Sequence, residues 1–471
     1  MRPLLLISAL VWAGCAAQTE PRPPPTDRFS FPTGIVHRKV PGSPHGALYV
    51  ASSNFDKCFD TGAVVALDLV TLGLPEMPPP DSPKPEERVE VPVLTDLKVA
   101  ADAAVQIQSF AGQMDVWNRS DGTARLFVPS RAENSFLHGI DVQGNTLKCA
   151  QNPITNDCTL GALSLTTDVA EKVDDVPRAP APLGLRVSLN TAQQPEVWVT
   201  HIEAADSPTG SSKAFRSYLV RVPGDPLGPT LAANDFFPLS GQGLASGAGH
   251  ATAIGSRYAY VTGRTYVAND TTQSAAFLLR LVDRNTPTRV LETGLRQLYS
   301  TIEARDIALS PTRVGDTERL YVVARSPDTL LVVDVADAEG LRPTVSVVDA
   351  VPLPDGANQL VVMNRGALGD LVAVTATTTG VVAIYDAALG QIVSQIDNMG
   401  RQPYGISADV DTVNNTARLY VTAFGDGQVD VIDIPDLAVA QNARLVARLG
   451  VPQGRNEEDG TSTCERKGSE P

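Results

Sequence analysis

The chain is poor in the residues that build metal centres and redox sites. It has only 5 histidines and 5 cysteines in 471 residues. No two cysteines have the Cys-x-x-Cys spacing of a zinc site, and there is no Cys-x-x-Cys-His motif for haem attachment. The histidines are too few and too scattered for a zinc or copper centre. We therefore expect neither a metal nor a cofactor.

Positive charge is also scarce. The chain has 38 basic residues against 53 acidic ones, a formal net charge of −15. Nucleic acid binding depends on cationic groups that displace counterions from phosphates, so we expect no nucleic acid partner. The Gly-x-Ser-x-Gly nucleophile motif of many hydrolases is absent too.

Long apolar runs are missing except at the N-terminus. There, Leu4 to Val11 follow Arg2 and precede the small residues Ala13 and Gly14. The run is too short for a permanent transmembrane helix and is typical of an export signal.

Cys15 follows those small residues, and the arrangement resembles a bacterial lipoprotein signal. The resemblance implies that residues 1–14 are removed and that Cys15 is acylated, which would anchor the protein in a membrane. Trp12 stands where such signals usually have Leu, and an ordinary cleaved secretory signal is the alternative. Because Ala16 is not the Asp of an inner-membrane retention signal, we expect an outer membrane lipoprotein, on either its periplasmic or its surface side.

The sequence divides into four regions. After the signal peptide, residues 15–28 contain the acylated cysteine and a Pro-rich segment, which we interpret as a semi-extended tether. Residues 29–450 form the folded part, and residues 451–471 are a polar C-terminal tail.

The folded part repeats one unit, a β-hairpin of two β-branched and aromatic runs joined by a glycine-containing turn. Its clearest copy joins Arg418–Ala423 to Val429–Ile434 through Gly425-Asp426-Gly427. Six of the seven copies have an aromatic residue at the same place in the first run, and six have an Asp at the end of the second. The first runs are 48–51, 126–129, 197–200, 259–262, 320–323, 372–375 and 419–422.

A strand that is apolar on both faces must be packed against other parts of the protein on both faces. A propeller provides this cover, because each small sheet is packed between two others. A run rich in small residues, such as Pro403–Ser407, precedes each hairpin and suits a crowded innermost strand. A more polar run, such as Ile392–Ile396, follows and suits an outer strand. The sequence therefore predicts an all-β fold, a seven-bladed β-propeller of four-stranded antiparallel blades.

Several repeats resemble the YVTN family of seven-bladed propellers. The motif is clearest at Tyr420–Ala423 and Tyr260–Gly263, and Pro403–Ile406 matches the segment that precedes it. The family includes surface-layer and secreted proteins, and similar propellers occur in sugar-lactone hydrolases. The resemblance implies the fold and an exported location, but no single activity.

Loops on a rigid scaffold often contain binding residues. In such a blade, the loop between strands two and three and the connection to the next blade lie on one face. We expect this face to form a ligand-binding site at the mouth of the central channel. Its candidate residues are Arg131, His201, His250, Arg264, Arg305, Asp306, Arg325, Arg401 and Tyr404. The alternative is that these arginines and aspartates pair with one another and close the channel.

Export favours disulfides for the remaining cysteines. We expect Cys149 to pair with Cys158 in a local loop, and Cys58 to pair with Cys464 as a clasp between the first and last blades.

Two functions are compatible with these features. We favour a non-catalytic, monomeric binding module of the cell envelope, with an envelope protein, a glycan or a small ligand as partner. The alternative is a periplasmic hydrolase that resembles the propeller lactonases. Its candidate residues are His250, Glu303, Arg305, Asp306 and Arg401.

Overall fold

A computed structural model shows seven small antiparallel sheets arranged as the blades of a propeller, which confirms the predicted fold. The strands of each blade follow one another along the chain, from the channel outwards. The structure describes residues 22–82, 84, 90–132, 135–165, 181–202, 218–227, 231–239, 247–267, 270–286, 289–295 and 303–453. The predicted signal peptide, Cys15 and most of the C-terminal tail lie outside these ranges.

The first part of the chain forms blades 1 to 3 and a long connection within blade 1. The strands are β1 Pro32–Arg38, β2 Ala47–Ser52, β3 Gly62–Asp68, β4 Val93–Leu94, β5 Ala104–Ile107, β6 Asp115–Asn118, β7 Ala124–Ser130, β8 Phe136–Gln143, β9 Thr146–Cys149, β10 Leu163–Ser164, β11 Pro182–Leu189, β12 Pro195–His201, β13 Tyr218–Pro223 and β14 Phe236–Pro238.

Blades 4 to 7 contain the remaining strands. They are β15 Gly247–Ile254, β16 Tyr258–Val267, β17 Asp270–Ala276, β18 Arg280–Asp283, β19 Val290–Glu292, β20 Glu303–Leu309, β21 Glu318–Arg325, β22 Thr329–Ala336, β23 Thr344–Pro352, β24 Ala357–Asn364, β25 Asp370–Ala376, β26 Val381–Asp386, β27 Gln391–Ile396, β28 Pro403–Asp411, β29 Thr416–Ala423, β30 Gln428–Ile434 and β31 Arg444–Leu449.

The described ranges contain three single turns of 3₁₀ helix, at Ala233–Asp235, Gly366–Leu368 and Ala440–Asn442, and Leu295 is α-helical. No helix in these ranges is long and apolar enough to cross a membrane.

The second strand of each blade lies in the protein interior, as its two apolar faces require. Its aromatic side chain reaches the neighbouring blade, where the hydroxyl needs a buried acceptor. Tyr260 donates a hydrogen bond to Glu318 Oε2 at 2.6 Å, and Tyr321 donates one to Asp370 Oδ2 at 2.9 Å. The recurring aromatic residue therefore connects one blade to the next.

The inner strands approach one another closely around the channel. The pairing of first and second strands shifts by a residue or two near the start of the first strand in six blades, as in β11 and β28. At the shift in blade 3, the hydroxyl of Thr200 accepts a hydrogen bond from Gly184 N at 3.1 Å and donates one to the His250 carbonyl of blade 4 at 2.9 Å. Thr375 makes the equivalent contact with the carbonyl of Tyr404. The last residue of the first run, a threonine in these two blades, thus connects one blade to the next.

Buried ion pairs stabilise the face opposite the mouth. Arg418, near the start of β29, makes a bidentate pair with Asp433, near the end of β30, at 2.5 and 2.8 Å. Arginine and aspartate also pair in four other blades, and in blades 2 and 5 the pair is again bidentate. These pairs are Arg125–Asp141, Arg257–Asp283, Arg319–Asp334 and Arg365–Asp386. In these five blades, the aspartate at or near the end of the third strand therefore has an arginine partner on the second strand or in the segment before it.

The long connection between β3 and β5 crosses to blade 7 and covers its outer edge. Within it, β4 pairs in parallel with β31, and the carbonyl of Pro75 accepts a hydrogen bond from Arg418 at 2.8 Å. An uncovered edge strand is a template for aggregation. This segment of blade 1 covers that edge and also helps to close the ring.

Cys149 and Cys158 form the predicted disulfide. The carbonyl of Cys158 is 3.0 Å from Nδ1 of His138, whose Nε2 is 2.9 Å from the Ser130 hydroxyl. Burial lowers the pKa of His138 to about 4, so this histidine is a neutral structural group. The other predicted disulfide involves Cys464, which lies outside the described residues.

In blade 4, β16 extends beyond the blade to Val267 and pairs there with β17. A hairpin therefore projects from blade 4 on the mouth side.

Candidate functional site

His250 lies at the shifted position of the inner strand of blade 4, on the mouth side of the channel. It is 3% exposed, and neither ring nitrogen makes a hydrogen bond. Its nearest charged partner is Glu303, with 3.8 Å between Nε2 and Oε2. Buried polar groups are normally hydrogen-bonded, and among the described residues His250 is the one with two buried side-chain atoms that make no hydrogen bond.

Four arginines surround His250, and we call them the cation cluster: Arg131, Arg264, Arg305 and Arg325. Burial and the charges of all four lower the pKa of His250 well below its usual value. The imidazole is therefore neutral at pH 7, when it can donate one hydrogen bond and accept another.

Glu303 is shared by two members of the cation cluster. Its Oε1 is 2.6 Å from Nε of Arg305 and 3.8 Å from an amino nitrogen of Arg325. Arg325 also donates hydrogen bonds to the carbonyl of Gly356 and the hydroxyl of Thr377. Burial and the charge of Arg305 lower the pKa of Arg325, although the charge of Glu303 raises it. The single carboxylate of Glu303 therefore does not compensate the charges of both arginines.

Arg131 follows β7 in blade 2, and it makes no ion pair or side-chain hydrogen bond with the rest of the described chain. Tyr404 lies across the mouth at the shifted position of β28. Burial raises the pKa of Tyr404, while the positive charges of Arg305 and Arg131 oppose this. The mouth thus brings cationic groups from blades 2, 4 and 5 together with a phenol from blade 7.

Asp306 lies deeper in the channel than predicted and has a structural environment. Its carboxylate accepts hydrogen bonds from Leu360 N at 2.9 Å and from the Gln113 amide at 3.2 Å, and Arg186 is 3.8 Å away. These partners belong to three other blades, so Asp306 ties blades together across the axis. The contacts of Asp306 therefore agree with the alternative prediction, in which these charged residues pair with other residues of the channel.

Two further candidates differ from the cation cluster in their surroundings. His201 is fully buried at the end of β12. Arg401 has a side chain that is 56% exposed and is 2.5 Å from Asp426, on the adjoining loop of blade 7. Arg401 is therefore a surface ion-pair residue on the mouth face.

Four phenylalanines form a second feature of this face, the phenylalanine cluster: Phe31, Phe55, Phe110 and Phe424. The ring centroid of Phe55 lies 5.3 Å from that of Phe110, 5.6 Å from that of Phe424 and 6.1 Å from that of Phe31. Phe55 is 48% exposed. The sequence interpretation missed this cluster, although Phe55 and Phe424 both follow second strands and so belong to mouth loops.

A separate cavity of about 410 Å³ lies on the opposite face, between blades 5 and 6. Its buried acid is Asp370, whose Oδ2 accepts hydrogen bonds from Ser310 at 2.5 Å and Tyr321 at 2.9 Å. Its polar groups satisfy one another, in contrast to those of the mouth. The described ranges contain no group of three or more potential metal ligands.

No family model matches the chain, and no curated protein matches it. Among solved structures, the hydrazine synthase of Kuenenia stuttgartiensis is similar to it, with 11% sequence identity and a TM-score of 0.49. That match covers 86% of this chain and 96% of the other. A similarity this low says nothing about the activity of this chain.

Proposed function

We propose that the protein is an exported, lipid-anchored propeller of the bacterial cell envelope, and that it binds an oxyanion, such as a phosphate or carboxylate group, at the mouth of its channel. In this function it is a binding module and not a catalyst. The observation that carries the proposal is the combination, within one mouth, of two groups that lack hydrogen bonds among the described residues: the guanidinium of Arg131 and the buried imidazole of His250.

Charge supports an anionic ligand. Arginine side chains bind carboxylate and phosphate groups in bidentate fashion, and Arg305 and Arg325 share a single carboxylate. An oxyanion between them and Arg131 would compensate this excess charge and provide a partner for His250. The chain as a whole has a net charge of −15 and repels anions. Binding of an anion at the mouth would therefore depend on the local arginines.

Calorimetric titration with inorganic phosphate tests this function. We expect saturable binding at one site, and we expect Arg131→Gln to weaken it about tenfold, because a charge-assisted hydrogen bond contributes roughly 1.5 kcal/mol or more. Arg401→Gln is the matched control on the same face and should leave the affinity unchanged. Equal affinities for wild type and Arg131→Gln would contradict the proposal.

The envelope location rests on the N-terminal sequence and on the YVTN-type motifs at Tyr260 and Tyr420. We expect wild-type protein to incorporate labelled palmitate in a bacterial host and Cys15→Ala to incorporate none. Equal labelling of the two, or labelling of neither, would contradict lipid anchoring at Cys15 and would favour a plain secretory signal.

The hydrolase alternative retains one supporting observation, the neutral His250 with Glu303 3.8 Å away. A neutral imidazole beside arginines could activate water next to a polarised carbonyl. Lactone turnover by the wild type that is lost in His250→Ala would replace the binding function with this one.

A further inference from the structure

The phenylalanine cluster is held in a fixed position. Asn54 is 1% exposed, and its amide donates hydrogen bonds to the carbonyl of Phe59 at 2.7 Å and the hydroxyl of Ser109 at 2.9 Å. Its side-chain oxygen accepts one from Phe59 N at 3.1 Å. These bonds close the loop that contains Phe55 and tie it to the segment before Phe110. The exposed ring of Phe55 is therefore presented by a rigid loop.

Four of the thirteen described non-glycine residues with positive φ lie in the same place. Phe31, Asn54, Lys57 and Phe110 all have φ between 49° and 60°, in the left-handed region that non-glycine residues seldom adopt. Such conformations persist only where the surrounding structure enforces them, and they cluster at binding sites. Here they surround an aromatic surface that the fold leaves partly open.

The phenylalanine cluster adjoins the cation cluster at two points. Burial raises the pKa of Tyr404, and the positive charges of Arg305 and Arg131 lower it. The ring centroid of Tyr404 lies 5.8 Å from that of Phe424. On the other side, a hydrogen bond from Ala132 N to the carbonyl of Ser109 joins the residue after Arg131 to the residue before Phe110. An apolar aromatic surface and an anion-binding surface are therefore continuous across the mouth.

We infer that the ligand is an oxyanion attached to an aromatic ring. The inference rests on the proposed oxyanion site and extends it. The anionic group binds the cation cluster and His250, and the ring packs against Phe55, Phe110 and Phe424. Aromatic rings pack favourably edge to face or offset, and the rings of Phe55 and Phe110 already meet at 89°. An aliphatic or fully polar anion would leave this surface uncovered.

Phenyl phosphate and methyl phosphate are matched probes for this inference. They have the same anionic group and differ in the aromatic ring. We expect the wild type to bind phenyl phosphate about tenfold more tightly than methyl phosphate in calorimetric titrations. Phe55→Ala should remove this preference without changing the affinity for methyl phosphate, while Arg131→Gln should weaken the binding of both probes.

Two further variants test whether loss of the aromatic ring, and not a disturbed loop, causes the effect of Phe55→Ala. Phe55→Leu retains an apolar side chain without the ring and should also lose the preference for phenyl phosphate. Leu389→Ala removes another exposed apolar side chain, 58% exposed on the opposite face, and should behave as the wild type.

The outcomes separate the two proposals. Equal wild-type affinities for the two probes, both weakened by Arg131→Gln, would overturn the aromatic inference and leave the oxyanion site intact. Binding of neither probe would overturn both proposals.

Discussion

Replacing Gly405 by alanine is expected to lower the free energy of unfolding by at least about 3 kcal/mol, at the upper end of the cost of overpacking. Gly405 belongs to the inner strand of blade 7, and a Cβ there would overlap the carbonyl oxygen of Thr33 in blade 1. The obstacle is backbone, which cannot rotate away. Either the two blades separate or the strand loses its contact with Thr422. Urea unfolding followed by circular dichroism measures the loss.

Gly73→Ala provides the control for this prediction. Gly73 has a φ of 69°, and nothing lies within 4 Å of the position of an added Cβ. Its substitution costs only the strain of the left-handed backbone, about 1 kcal/mol. If Gly405→Ala cost no more than Gly73→Ala, blades 7 and 1 would not be packed as closely as the structure shows.

Arg418→Leu is expected to destabilise the protein by about 3–5 kcal/mol, the usual cost of leaving one buried charge without its partner. The side chain of Asp433 is fully buried, and Arg418 is its bidentate partner. Burial already raises the pKa of Asp433, and removal of Arg418 should raise it further. Stability associated with a raised carboxyl pKa is lost as pH rises, so the deficit of the variant should be larger at pH 8 than at pH 5.

Two companion variants separate the buried charge from other causes. Arg418→Leu combined with Asp433→Leu removes both charges, and we expect it to recover most of the lost stability. Arg401→Gln breaks the exposed pair with Asp426 and should cost less than about 1 kcal/mol. A double variant no more stable than Arg418→Leu alone would show that packing, and not the unpaired carboxylate, causes the loss.

Much of the fold could be predicted because each blade repeats the same physical requirements. The hairpin at Arg418–Ile434 has the buried strands and glycine turn that its sequence indicates. The partner of the recurring Asp was missed, although a signal exists: an arginine two residues before the aromatic, as in Arg418-Leu419-Tyr420 and Arg319-Leu320-Tyr321. The cover of blade 7 by β4 has no comparable signal, since two residues carry too little pattern to indicate a parallel pairing.

The site was less predictable because it depends on distances across the ring. Arg305 and Asp306 are adjacent in sequence and both were assigned to the mouth. The shift in pairing between Ala304 and Asp306 leaves Arg305 as the extra residue beside Glu303, while Asp306 contacts Gln113 and Leu360. The phenylalanine cluster assembles residues from distant segments, so its members appear in the sequence only as separate loop residues.

Anomalous diffraction from crystals soaked in tungstate, a tetrahedral oxyanion, tests the central claim most directly. We predict a strong peak at the mouth, within hydrogen-bonding distance of the guanidinium groups of Arg131 and Arg305 and beside His250. Peaks confined to other surfaces, with an empty mouth at saturating tungstate, would contradict an oxyanion site in the channel.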